Sequence, residues 1–144
     1  MVIKIEPQRL EEKIYKPTRG EMVVSKKISF DAAHFLPNYE GRCRNMHGHT
    51  WVVELGVKGK VKEDGMVIDF ILLKEFLEGW VREVFDHKLV NEVIKNPTAE
   101  NIALYISKIW VKWVEAKRLQ DVSLAFIKVW ETEDSMVMVE GGIY

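Results

Sequence analysis

The sequence predicts an α+β fold: a four-stranded antiparallel sheet carrying two helices on one face, in the order ββααββ. Three observations lead there. Period-two alternation marks strands at both ends of the legible region, and two stretches of apolar residues at helical spacing lie between them. Strand pairs flanking two consecutive helices suit an antiparallel sheet, since alternating parallel units would need a helix after every strand. A chain of 144 residues fits one domain by the usual range of about 100–200 residues and can bury a core of its own. No repeat, low-complexity stretch or proline-rich linker divides it.

The first residues, 1–21, read as an N-terminal extension of uncertain structure, and the domain as 22–144. Val24 through Phe30 has the β-branched, alternating character of a strand that runs into Asp31-Ala32-Ala33-His34. Pro37-Asn38-Tyr39-Glu40-Gly41 then makes a loop. From His47 to Val57 the odd positions read His, His, Trp, Val, Leu, Val and the even ones Gly, Thr, Val, Glu, Gly, a second strand with one richer face. Lys58-Gly59-Lys60 and Glu63-Asp64-Gly65 turn the chain. Asp69 can cap a helix whose apolar stripe is Phe70, Leu73, Phe76, Leu77, Trp80, Val81 and Val84. Thr98, after Pro97, can cap a second with the stripe Ile102, Tyr105, Ile106, Ile109, Trp113 and Val114. The end reads as a hairpin: Val122 to Glu131, a turn at Thr132-Glu133-Asp134, and Ser135 to Glu140.

Composition narrows the class. Hydrophobic residues make up 47% and charged residues 30%, the balance of a globular protein and not of a disordered chain. No apolar run approaches the roughly 20 residues of a membrane span, and charges interrupt the N-terminus where a secretory signal would be apolar. No membrane partner is expected, and the cytoplasm is the expected compartment. A net charge of −1 gives no broad attraction to nucleic acid, so no nucleic-acid partner is expected. One cysteine cannot form an internal disulfide.

The four histidines and the cysteine concentrate in short motifs. His47 and His49, two residues apart on a strand, project from one face with backbones about 6–7 Å apart, a gap that two ligands of one ion can close. His34, at the end of the neighbouring strand, can supply a third nitrogen. Three protein ligands with an open fourth position describe a catalytic zinc, because a structural zinc takes all four positions from the protein. Against this, an isolated strand histidine is more often a hydrogen-bonded structural residue. Cys43 can be a fourth ligand, a buried apolar residue, or a thiol beside the metal whose thiolate a cation would favour. The Asp86-His87 pair can be a cap or surface pair, Glu131 a solvated strand end, Thr98 simply a helix cap, and the five tryptophans packing residues.

Six motifs, taken in order, carry a resemblance: Phe30-Asp31-Ala32-Ala33-His34, Cys43-Arg44-Asn45-Met46-His47-Gly48-His49, Gly65-Met66-Val67-Ile68-Asp69-Phe70, Asp86-His87-Lys88-Leu89-Val90-Asn91, Pro97-Thr98-Ala99-Glu100-Asn101 and Val129-Trp130-Glu131-Thr132. From Met22 to the C-terminus the chain resembles the 6-pyruvoyltetrahydropterin and 6-carboxytetrahydropterin synthases. The resemblance implies a tunnelling fold that assembles into a barrel, commonly a homohexamer built as a dimer of trimers with active sites between subunits. It implies a pterin triphosphate substrate, dihydroneopterin triphosphate, and Zn2+ held by His34, His47 and His49. It also implies Cys43 as the proton-abstracting thiol, Asp86 and His87 as its partner pair, and Glu131, assisted by Thr98, as the anchor of the pterin ring.

Three residues separate Cys43 from His47, which is similar to the carboxy-forming branch. The implied reaction is then a zinc-dependent lyase reaction to 6-carboxytetrahydropterin, with release of triphosphate and acetaldehyde, supplying deazapurine synthesis for modified tRNA bases. The alternatives are a pyruvoyl-forming synthase, a related aldolase acting on dihydroneopterin, and a non-catalytic zinc-stabilised assembly protein. Lys26, Lys27, Arg42 and Arg44 are candidate triphosphate cations because they neighbour the motifs.

Overall fold

Alternation along the first two predicted strands produces one long antiparallel pair. The computed structural model describes residues 21–141. In it β1 (Met22–His34) and β2 (His47–Gly59) pair from Met22 opposite Gly59 to His34 opposite His47. Every second residue points inward: Ile28, Phe30, Ala32 and His34 on β1, and Trp51, Val53, Leu55 and Val57 on β2, are buried. Phe30 lies opposite Trp51, so both sets share one face, and His34, His47 and His49 continue that face to the strand ends.

The helices cover this face. The carboxylate of Asp69 accepts from Ile71 N at 2.8 Å and caps α1, which runs Phe70–Phe76, passes through a π-helical stretch Leu77–Arg82 and closes with Glu83–Phe85. Leu73, Phe76, Leu77, Val81 and Phe85 are fully buried, whereas Phe70 and Trp80, which the sequence stripe sends inward, are exposed. Phe70 occupies the first helical position, and the wider π turn rotates Trp80 off the stripe. Thr98 caps α2 (Ala99–Lys117) by accepting from Asn101 N at 3.1 Å. Phe76 meets both Trp110 and Trp113 with ring centroids 5.3 Å apart, joining the helices.

Between the helices the two-residue β3 (Lys88–Leu89) pairs parallel with Ala32 and Ala33 of β1. After α2, β4 (Val122–Thr132) and β5 (Ser135–Glu140) form the closing hairpin. Thr132 pairs with Ser135, so the turn shortens to Glu133-Asp134. The strand order is β3-β1-β2-β4-β5. The expected four-stranded antiparallel sheet is thus corrected to a mixed sheet of five strands. Two residues are too few to show a period, and their pairing depends on where α1 ends.

The opposite face of the sheet presents the other alternates, among them Lys27, Asp31, Thr50, Lys128 and Trp130. No helix among the described residues is long and apolar enough to cross a membrane. Apart from Glu21, the extension expected at 1–21 lies outside the described residues.

Candidate active site

At the open end of the core face, His34, His47, His49 and Glu131 bring one donor atom each within 4.8 Å of one another. Each arrives by strand alternation: His34 follows Phe30 and Ala32, His47 and His49 precede Trp51, and Glu131 follows Ile127 and Val129 on β4. His34 is completely buried, and its Nδ1 lies 2.8 Å from the Pro97 carbonyl. His47 Nδ1 lies 2.7 Å from the Asn45 carbonyl. A carbonyl only accepts, so each Nδ1 carries the hydrogen and each Nε2 turns a lone pair inward. The two Nε2 atoms stand 3.1 Å apart. Two lone pairs at that distance repel unless a proton or a cation lies between them.

His49 Nε2 is buried without a hydrogen-bond partner. Glu131 Oε1 sits 3.6 Å from it and 3.3 Å from His34 Nε2. Burial, ahead of every other cause, lowers the pKa of both His34 and His49 from the ordinary 6.5, although Glu131 opposes it in each and the Pro97 bond in His34. Both are thereby held neutral, the form that binds metal. Converging lone pairs, two tautomers fixed by backbone carbonyls and an orphaned buried nitrogen all fit a divalent ion, and a set of three imidazole nitrogens suits zinc.

A second group stands apart from the first. Asp31, Asp86 and His87 bring one donor atom each within 4.8 Å. Asp86 follows the last turn of α1, and its Oδ1 accepts from Asp31 N at 3.0 Å while Oδ2 lies 3.0 Å from His87 Nδ1. The Asp31 N–H is the chief reason the Asp86 carboxyl is held below the usual carboxylate range, followed by His87 and Arg82, against some desolvation. His87 adopts φ 59°, a left-handed conformation, and its N–H donates to Asp31 O at 2.6 Å. Its side chain is 79% exposed.

Asp31 is three residues from His34, so the two groups occupy opposite faces of the sheet, about 10 Å apart along the strand. An open cleft of ≈ 490 Å³ lies against the second group, lined by Asp31, Thr50, His87 and Lys88 over the strand segments Ala32-Ala33 and Gly48-His49, so it reaches one residue of the first group.

Cys43 joins neither group. It is half-exposed on a single turn, Arg42–Arg44, and its carbonyl accepts from Leu36 N at 2.8 Å. Thr98 caps α2 next to the Pro97 carbonyl that orients His34. The residues expected in the site therefore fall in three places: the histidines with Glu131, the Asp86–His87 pair, and Cys43.

Four supporting contributions were missed in the sequence. Asp31 and Thr50 share a 2.6 Å hydrogen bond, and the Pro97 carbonyl orients His34. Asn91 clamps Phe35 from both sides, accepting from its N–H at 3.0 Å and donating to its carbonyl at 2.8 Å. Asp31, Pro97 and Asn91 lie within the six motifs, which was the available signal.

Residues 23–142 match the family model described as 6-pyruvoyl tetrahydropterin synthase. The chain is 33% identical over 137 residues to a 6-carboxy-5,6,7,8-tetrahydropterin synthase of Rickettsia bellii, covering 80% of this chain and 97% of the relative. It is 40% identical over 114 residues to a dihydroneopterin monophosphate aldolase of Pyrococcus furiosus, covering 79% and 93%. Among solved structures, the 6-pyruvoyl tetrahydropterin synthase of Caenorhabditis elegans superposes with a TM-score of 0.70 at 25% identity, covering 85% of this chain and 96% of that one.

Proposed function

The chain belongs to the 6-pyruvoyl tetrahydropterin synthase family, and from that premise we propose that it is a zinc-dependent lyase converting dihydroneopterin triphosphate to 6-carboxytetrahydropterin, with release of triphosphate and acetaldehyde. The observation that carries this reading is the convergence of the His34, His47 and His49 donor nitrogens beside Glu131. These three histidines would hold the metal. Zinc bound there supplies Lewis-acid chemistry, lowering the pKa of substrate hydroxyls.

The remaining work belongs to side chains. Cys43 takes a proton from the substrate side chain, and His87, oriented by Asp86, returns one. The Glu131 carboxylate is partly exposed and can accept parallel hydrogen bonds from the amino and ring N–H groups of a pterin. Thr98 lends support through the α2 cap. The separation of the two groups on opposite sheet faces supports a site assembled between subunits of a homohexamer, with Asp86 and His87 serving a neighbouring chain's histidines. A barrel of packed sheets is the assembly in which such faces meet.

The Pyrococcus furiosus relative favours a second reading, an aldolase acting on a dihydroneopterin phosphate. Incubating the zinc-loaded protein with dihydroneopterin triphosphate and, separately, with the monophosphate, followed by mass analysis, tests both. Acetaldehyde and 6-carboxytetrahydropterin from the triphosphate are expected. Cleavage of the monophosphate without acetaldehyde would establish the aldolase instead.

A further inference from the structure

Asp31 has no part in the chemistry above, yet three anchors meet on it. Its N–H donates to Asp86 Oδ1 at 3.0 Å, its carbonyl accepts from His87 N at 2.6 Å, and its own Oδ1 accepts from Thr50 Oγ1 at 2.6 Å. The first two bonds come from peptide groups, and both point away from β2. In an antiparallel pair, a residue whose N–H and C=O both turn outward belongs to a pair without backbone hydrogen bonds. Asp31 lies directly opposite Thr50. At this rung the side-chain bond is therefore what ties β1 to β2.

The next rung on this face, toward the strand ends, is Ala33 opposite Gly48, which can make no side-chain bond. The Asp31–Thr50 link is thus the last side-chain bond on this face before the strand ends. Beyond it, the peptide groups of Asp31 hold a histidine at φ 59°, which a residue with a Cβ keeps only when its surroundings impose it.

We propose that Asp31 is a positioning residue for His87: gripped by the Thr50 hydroxyl, it pins the strand segment whose peptide groups fix Asp86 and His87. The proposal rests on the reading of His87 as a proton-transfer group. A hydrogen-bond acceptor is what the role requires, and the amide of Asn supplies one in the same place.

The test compares Asp31→Ala, Asp31→Asn and Thr50→Val in the zinc-loaded assembly. Asp31→Ala and Thr50→Val each lower kcat about five- to tenfold with KM unchanged, and the double variant falls no further than Asp31→Ala alone. Asp31→Asn stays within about twofold of the parent. Zinc content is unchanged throughout. In histidine-labelled protein, the His87 imidazole resonances shift in Asp31→Ala and Thr50→Val and hold in Asp31→Asn.

Unmoved His87 resonances in Asp31→Ala overturn the proposal. So do equal losses in Asp31→Ala and Asp31→Asn, which would mark a role for charge, and a loss confined to KM, which would mark substrate contact. Should Asp31→Ala fail to fold, Thr50→Val removes the same bond from its other end. A parent protein inert toward pterin phosphates refutes the enzymatic reading, and the resonances then still decide the role of Asp31.

Discussion

Two polar groups three residues apart on one strand are built by opposite means. The histidine group turns inward around the fully buried His34, with the His34 and His47 tautomers set by the Pro97 and Asn45 carbonyls and His34 and His49 held neutral by desolvation. The Asp86–His87 group lies open on the other face, its backbone held by Asp31 and its imidazole exposed. A metal needs donors that are rigid and dry, because water competes for every coordination position. A group that carries protons to a substrate can stand in solvent until a partner surface covers it. The contrast is what the proposed division of labour between the two groups requires.

The largest effect should come from the dry half. His49→Ala removes a donor whose Nε2 has no other partner, so zinc content by elemental analysis should drop sharply and turnover should fall about 10³-fold. His87→Ala should leave zinc content unchanged. A fully zinc-loaded His49→Ala would erase the distinction between the groups.

The next effect sharpens it. Cys43→Ala and His87→Ala should each reduce turnover on the order of 10²–10³-fold while the assembly stays intact. If the histidines of one chain work with the His87 of another, dissociating the two inactive variants, mixing and reassembling them should restore activity, since some sites then join an intact Cys43 to an intact His87. Mixed assemblies as inactive as their parents would show that both groups serve a site within one chain.

Acid should also separate the groups. Free histidines bind protons near 6.5, whereas His34 and His49 in the folded chain do so only at lower pH. In that window the unfolded state carries more protons, so metal-free protein should lose stability as pH falls below about 6.5. Asp86, with its pKa lowered below 3.8, stays charged through the same window and adds nothing to the slope. A metal-free melting temperature measured from pH 7 to 5 should therefore fall, and should fall less in His49→Gln.

How much of this was legible depends on which atoms do the work. Side chains on regular strands were readable: His47 and His49 share a face because β2 alternates, which period two already implied, and the β1–β2 register then brings His34 to them. The caps at Asp69 and Thr98 were readable for the same reason, since a carboxylate or hydroxyl before an apolar stripe has a definite use. Backbone groups leave no such trace. The Pro97 carbonyl that orients His34, and the Asp31 peptide groups that hold Asp86 and His87, could be any residue's. The π-helical stretch of α1 and the two-residue β3 were also hidden, one because it shifts a period midway and the other because it is too short to have one.

The smallest effect compares the two caps. Thr98→Ala and Asp69→Ala each delete a side chain that accepts from the first turn of a helix, and each should cost about 1 kcal/mol of stability. Asp69 caps the helix that ends at the exposed group, a full helix length away from it. Thr98 stands next to Pro97, whose carbonyl fixes the His34 tautomer at 2.8 Å. Loosening that turn relaxes a contact that aims a metal ligand, and losing such support weakens metal affinity by about tenfold or more. Competition with a chelator should therefore show weaker zinc binding in Thr98→Ala than in Asp69→Ala at equal loss of melting temperature. Equal zinc affinities would mean that the buried group is rigid without its loop, held by the sheet alone.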